Sequence, residues 1–320
     1  GAMLPQDYEA ALAVLFAIDD RCQGFPYLFL PDFVEVFGAA PAHWTLSMQA
    51  LERFTSGSSA EFAIRPFLLR DPERGMAQLL AWTGHPNAHV RRLASEGCRP
   101  RLPWARALPM FKADPGPIWP ILERLKADES LYVRKSVANN LNDIAKDHPH
   151  VVLEAVRAWQ GAHPHTDWIL RHGSRTLIRQ ADPLAMALFG YAAQAEEPLV
   201  THATVTMSPE HVAIGAQSLL SYALRVRAGD EPVRLRVAYA IDFVKASGKT
   251  SRKQFLLADK TCVGGAVLQG TRRHSWADLS TRRHYGGVHR VALLVNGSEV
   301  AGTELTLSVP EPPGSARGGT

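Results

Sequence analysis

A four-residue pattern recurs three times in the middle of this chain. His89-Val90-Arg91-Arg92 returns as Tyr132-Val133-Arg134-Lys135 and again as Ile169-Leu170-Arg171-His172, at offsets of 43 and 37 residues. Spacings of this size belong to helical-pair repeats of the HEAT type. A single pair cannot bury its apolar face, so such repeats must stack on their neighbours. Each copy follows a polar loop and a predicted helix, at about 73–83, 117–127 and 149–160. In register, Arg91, Arg134 and Arg171 fall opposite one another, and Glu96 falls opposite Asn139. Stacking then lines up a row of basic residues on one concave face. The ordinary alternative is an arginine that caps a loop in each repeat.

The first copy is the richest in chemistry. At about 100° per residue, a helix over 87–97 puts Val90, Leu93, Ala94 and Gly97 on one inward stripe. Arg91, Arg92, Ser95, Glu96 and Arg99 take the opposite face, expected to be exposed. One carboxylate therefore sits among arginines, where an Arg92–Glu96 pair within the helix is the plain reading. Pro100, Pro103 and Trp104 follow at once, and the prolines restrict where the tryptophan points. Upstream, residues 5–60 read as helices around ALAVLFAID, FPYLFLPDFVEVFG and HWTLSMQALERFT. The loop Thr55-Ser56-Gly57-Ser58-Ser59 delivers Glu61, and Pro66 leaves open whether Glu61 lies on a helix or in a loop.

From about residue 201 the period changes from helical to alternating. Leu220, Tyr222, Leu224 and Val226 alternate with other residues, as do Val233, Leu235, Val237, Tyr239, Ile241 and Phe243. Val291, Leu293 and Val295 lead into Asn296-Gly297, a two-residue hairpin signal. About seven short strands predict a small immunoglobulin-type β-sandwich. The fold class is thus multidomain, an all-α HEAT-like-repeat superhelix followed by an all-β sandwich. The expected domains are 4–200 and 201–310, with 311–320 as a disordered tail.

Charge is unevenly placed. Residues 1–60 hold two basic residues against seven acidic ones, residues 61–200 hold 18 against 15, and residues 201–320 hold 15 against 9. An excess in the last two-thirds favours a polyanionic partner. In the sandwich the cations cluster in predicted loops: Lys245, Lys249, Arg252 and Lys253, then Arg272 and Arg273, then Arg282 and Arg283. Such loops can hold phosphates without reading bases, or form a solvated rim. Three distant cysteines without a CxxC pair fit a reducing cytosol. No apolar run is long enough for a membrane span. Gly1-Ala2-Met3 reads as a tag scar. The histidines of His148-Pro149-His150, His163-Pro164-His165 and His172 lack acidic or cysteine partners at ligand spacing, so no metal is expected.

The segments EFAIRPF (61–67), SEGCRPRLPW (95–104), YVRKSVANNLNDIAKDHP (132–149) and WILRHGSRTLI (168–178) resemble the AlkC type of DNA alkylation repair glycosylase, which has HEAT-like repeats and is more distantly related to AlkD. The likeness covers most of 5–200. It continues in VAYAIDFVKASGKTSRKQF (237–255) and STRRHYGGVHRVALLVNG (280–297), which are similar to the immunoglobulin-like domain of one branch of that family. The resemblance implies hydrolysis of the N-glycosidic bond of N3-methylated bases in duplex DNA, with the lesion largely stacked. It implies catalytic roles for Glu61, Glu96 and Trp104, with Asp143 a further acidic candidate by position. Arg91, Arg92, Arg99, Arg101 and Arg134, with Lys135, Arg171, His172 and Arg175, would hold phosphates. The chain departs from the family at Cys98, where a small polar residue is expected, and at Gly173 inside a helix segment.

The chemistry suits these residue types. N3-alkylation makes the base a cationic leaving group, so no acid is needed to protonate it. Departure leaves an oxocarbenium-like sugar. Carboxylates stabilise that cation and handle the attacking water, and a tryptophan face attracts positive charge. The expected protein is a cofactor-free, monomeric, cytoplasmic and nucleoid-associated enzyme acting on alkylated double-stranded DNA. A HEAT-repeat nucleic-acid-binding scaffold without catalysis is the alternative. A protein-binding solenoid is a third reading, which the basic row argues against.

Overall fold

The computed structural model describes residues 3–192 and 198–309; the expected disordered tail at 311–320 lies outside them. The chain forms two compact units, one up to Leu177 and one from Ile178 onward. The expected division at 200/201 therefore falls later than the change of packing. The last helix, together with Phe189 and Tyr191, belongs to the second unit: Tyr191 donates its hydroxyl to Asp259 at 2.6 Å, and Arg234 donates to the Phe189 carbonyl at 3.2 Å.

The helical unit runs α1 (Tyr8–Phe16), α2 (Phe29–Phe37), α3 (Trp44–Phe54), α4 (Arg65–Arg70), α5 (Pro72–Trp82), α6 (Ala88–Gly97), α7 (Pro109–Ala113), α8 (Trp119–Leu125), α9 (Leu131–Ile144), α10 (Pro149–Trp159) and α11 (Pro164–Gly173). Then come α12 (Arg175–Gln180), which straddles the division, and α13 (Pro183–Leu188). Seven of the described helices carry proline at one of their first two positions, where its missing N–H costs nothing. Asn87 caps α6 by accepting the His89 N–H at 2.9 Å. His163 does the same for α11, accepting the His165 N–H at 3.0 Å, so this histidine serves the helix start.

The predicted first helices of the three repeats are α5, α8 and α10, and the recurring motifs lie on α6, α9 and α11. These second helices pack side by side, α6 on α9 and α9 on α11. Two glycines permit close approaches, of α6 to the residue before α4 and of α11 to α9. A Cβ at Gly97 would lie 2.7 Å from Ile64 Cγ2, and one at Gly173 would lie 2.9 Å from Leu141 Cβ. Gly173, unexpected inside a helix segment, thus lies at a close contact of α11 with α9.

The sandwich has eight strands: β1 (Val200–Ser208), β2 (His211–Ala213), β3 (Gln217–Val226), β4 (Val233–Val244), β5 (Thr250–Cys262), β6 (Val267–Ser275), β7 (Gly287–Val295) and β8 (Ser298–Ser308). One sheet is ordered β1-β3-β6 and the other β2-β8-β7-β4-β5. The eighth strand is the three-residue β2, parallel to β8 and too short for alternation to reveal. Asn296 and Gly297 both have positive φ, 47° and 89°, as the hairpin signal requires. Inward-facing Leu220, Leu224, Val237, Tyr239, Ile241 and Leu293 pack around Trp276, which is fully buried and donates Nε1–H to Ser218 at 2.8 Å.

Candidate active site

Glu61 lies in a turn that opens α4, whose first turn carries Pro66. That settles the choice left open by the sequence. Ser59, two residues earlier, hydrogen-bonds both Glu61 and Arg92. Arg92, on α6, holds Glu61 in a forked pair, with Nη1 3.0 Å from Oε2 and Nη2 3.2 Å from Oε1. The same Nη2 is 3.6 Å from Glu96 Oε1. Arg99 then donates from Nη1 to Glu96 Oε1 at 2.6 Å and from Nε to Asp143 Oδ2 at 2.9 Å. Lys146 closes the series on Asp143 Oδ1 at 2.9 Å. Three carboxylates and three cations therefore alternate from the turn before α4, through α6, to the end of α9.

This corrects the expectation of an exposed α6 face. Ser95, Glu96 and Arg99 are buried, at 0%, 5% and 7% exposure. The physical reason is that α9 supplies partners. Ser136 donates its hydroxyl to Glu96 Oε2 at 2.6 Å, and Asn140 donates to the Ser95 carbonyl at 2.9 Å. Buried charges with these partners avoid the cost of an unpaired ion. Burial lowers the pKa of the Arg92 guanidinium, but Glu61 and Glu96, with Tyr132, more than reverse this and raise it. The Tyr132 ring lies 5.1 Å from that guanidinium, and burial raises its own hydroxyl pKa.

Trp104 sits in the loop after α6 with φ 64°, a left-handed backbone rare for a non-glycine residue, and its side chain is 93% exposed. A buried residue braces that loop. Arg65 is 1% exposed and donates to the carbonyls of Gly97 and Arg99, both at 3.0 Å, and to that of Arg106 at 2.7 Å. Burial pulls its pKa down to about 10. Sequence reasoning assigned no role to Arg65, Ser59, Ser136 or Lys146. A basic residue inside the otherwise apolar stretch Phe62–Leu69 was the available signal for the first. Cys98 is fully buried, and burial pushes its thiol pKa up to about 12, so it is a packing residue.

The expected row of arginines takes a different form. Arg91 forks onto Asp128 at 2.7 and 3.1 Å and donates to the carbonyls of His85 and Pro86. Arg134 donates to the carbonyls of Asp128 and Glu129 at 2.9 and 2.7 Å. Both arginines tie loops between repeats, the alternative their spacing allowed. Arg171 is half-buried on α11. At the next position Lys135 on α9 is exposed and His172 on α11 is half-buried, whereas Arg92 on α6 turns its guanidinium into the carboxylate series. His172 stacks on Trp168 at 4.9 Å and 7°. Burial, Arg175 and Lys135 lower its pKa. Arg101 pairs with Asp147 at 2.6 Å, and Arg175 donates to Asn139 at 3.0 Å.

In the sandwich, the register pairing Asp242 with both Arg252 and Arg290 puts the β4–β5 and β6–β7 connections at one end. Lys245, Lys249 and Arg283 are exposed in connections, whereas Lys253, Arg272 and Arg273, expected in loops, are exposed on strands β5 and β6. Two of the expected phosphate contacts are otherwise engaged. Arg252 lies 3.5 Å from Asp242 and 3.1 Å from Glu299. Arg282 packs its guanidinium over Phe243, 4.4 Å from the ring centre.

Residues 53–179 match the family described as DNA alkylation repair enzyme, and residues 201–309 match the C-terminal Ig-like domain of the uncharacterised protein YhaZ. The YhaZ protein of Bacillus subtilis (strain 168) is 47% identical over 294 residues, spanning 92% of this chain and 80% of its own. The alkylpurine DNA glycosylase AlkC of Pseudomonas fluorescens, solved bound to DNA containing an abasic site analog, has a TM-score of 0.89 and 45% identity to this chain. The match covers 96% of this chain and 84% of that one.

Proposed function

This chain belongs to the AlkC family of DNA alkylation repair enzymes, and we propose that it is a monofunctional DNA glycosylase acting on cationic N3-methylated adenine and cytosine in duplex DNA. The observation that carries this reading is the buried alternation Glu61–Arg92–Glu96–Arg99–Asp143 beside a loop that presents an exposed tryptophan.

The glycosidic electron pair leaves with the base, which departs neutral because it began as a cation. The sugar is left with an oxocarbenium-like C1′. Glu96 and Glu61, held by guanidinium and hydroxyl donors, provide fixed negative charge that needs no reorganisation as the sugar cation forms. Water adds at C1′ and gives its proton to a carboxylate. Asp143 holds Arg99 from the far side, so its role is to position Glu96. Trp104 meets the lesion from the groove with its ring face, and the base stays largely stacked. Lys135, His172 and the exposed sandwich lysines and arginines contact backbone phosphates. The protein acts as a monomer, and this chemistry calls for neither metal nor cofactor.

Single-turnover release from duplexes with defined lesions tests the reading. The expected result is release of 3-methyladenine and 3-methylcytosine, with none of 1,N6-ethenoadenine, uracil or hypoxanthine. Excision of a neutral lesion would require a protonated acid and overturn the assigned roles. Tight binding without release of any base would make the protein a non-catalytic scaffold.

A further inference from the structure

A groove between α8 and α10 plays no part in the chemistry above. It encloses about 500 Å³, within the range of pockets that hold a small ligand or a few side chains. Trp119 and Trp159 lie side by side along it, with ring centres 5.3 Å apart and planes tilted by 32°. Ala155 and Ala158 on α10 keep it open. Its rim carries Glu123 and Glu154, both exposed, and among the described residues neither joins an ion pair. Both helices are the first of their pairs, whereas Glu96 and Asp143 lie on the second helices α6 and α9.

A phosphate backbone entering this groove would meet three carboxylates, Asp114, Glu123 and Glu154, against two histidines, His148 and His150, so nucleic acid is the wrong occupant. The geometry points to a docking groove for a cationic, proline-containing peptide segment of another protein. Trp119, backed by the buried Trp159, offers one ring face on which a pyrrolidine ring can pack, and a polyproline II segment binds at low entropic cost because it is already extended. The rings also accept cations: Lys126 Nζ already sits 4.7 Å from the centre of Trp159. Trp159 is 6% exposed, while Trp119 is only half-buried and remains the reachable face. Arginines of the peptide stack there and reach Glu123 and Glu154. The groove is independent of the glycosylase reading, and the two stand or fall separately.

The test is fluorescence anisotropy of a labelled Pro-Pro-Arg-Pro-Pro-Arg-Pro-Pro peptide with the full chain. Saturable binding is expected, at least tenfold weaker for the same peptide with glutamates in place of arginines. The double variant E123K/E154K changes only exposed side chains. It should lose at least tenfold in peptide affinity while keeping its thermal transition and its DNA affinity. W119L should weaken the peptide without affecting DNA. No saturation with the wild type, equal binding by E123K/E154K, or displacement of the peptide by duplex DNA would each overturn the proposal.

Discussion

The buried guanidinium of Arg65 donates from Nε to the carbonyl of Arg106 at 2.7 Å, while its Nη1 holds the carbonyls of Gly97 and Arg99 at the other end of the same loop. One side chain from α4 thus closes the loop that carries Trp104. An exposed aromatic with φ 64° holds its place only if the surrounding backbone is over-determined. Arg65 supplies that constraint from below, and the Arg101–Asp147 pair supplies it from outside.

Replacing Arg65 with lysine keeps a cation but leaves carbonyls without donors. Each buried unpaired group costs about 1–3 kcal/mol. The expected outcome is a fall of that order or more in the stability of the helical unit, with base excision lost in step. Urea unfolding alongside single-turnover assays checks it. An unchanged midpoint would mean that the loop holds itself.

Glu96→Gln removes the central negative charge and keeps the shape. DNA affinity should stay near wild type while single-turnover excision drops about 100-fold or more, the range for losing one charge-stabilising group. Ser136→Ala leaves Glu96 Oε2 short of a donor and should lower excision by a smaller factor, about tenfold, with serine-to-threonine restoring it. Full activity in Glu96→Gln would remove Glu96 from the chemistry.

The sandwich should weaken in acid. Burial, with Arg282 and His284 nearby, pushes His274 down to about 4, and burial is also the main cause lowering His284 and His289. Their folded pKa values lie below the unfolded value of about 6.5. Between those limits the unfolded chain binds more protons, so stability falls as pH drops from about 6.5 toward 4. Each proton of difference contributes a slope of about 1.4 kcal/mol per pH unit. Hydrogen exchange of β4 and β7 amides at pH 7.5 and 5.0 reads this directly, and equal protection at both values would contradict it.

Truncation should depend on where the cut falls. A fragment ending near residue 181 should fold, bind DNA more weakly and show a shallower salt slope, because the exposed cations of the sandwich are lost. A fragment ending at 200 retains α13, whose neighbours Phe189 and Tyr191 would lose Arg234 and Asp259. It should be less soluble and more readily cleaved after residue 181. Unchanged salt slope in both would make the sandwich a protein-interaction module.

Local pattern by itself determined the two architectures. The recurrence of HVRR-like motifs placed α5, α8 and α10 and their partner helices, and alternation placed the longer strands, because both periods are properties of neighbouring residues. The family likeness pointed to Glu61, Glu96, Trp104 and Asp143 together. Only the tertiary structure decided which faces were buried. Glu96 and Arg99 read as exposed because charged residues seldom lie inside, and nothing local announces that Ser136 and Asp143, some forty residues away, will satisfy them. Arg91 and Arg134 read as a possible binding row, but their donors close loops between repeats, a choice made by Asp128 and by backbone carbonyls. Arg65 had no visible role because its partners are carbonyl oxygens, which every residue carries and no sequence distinguishes.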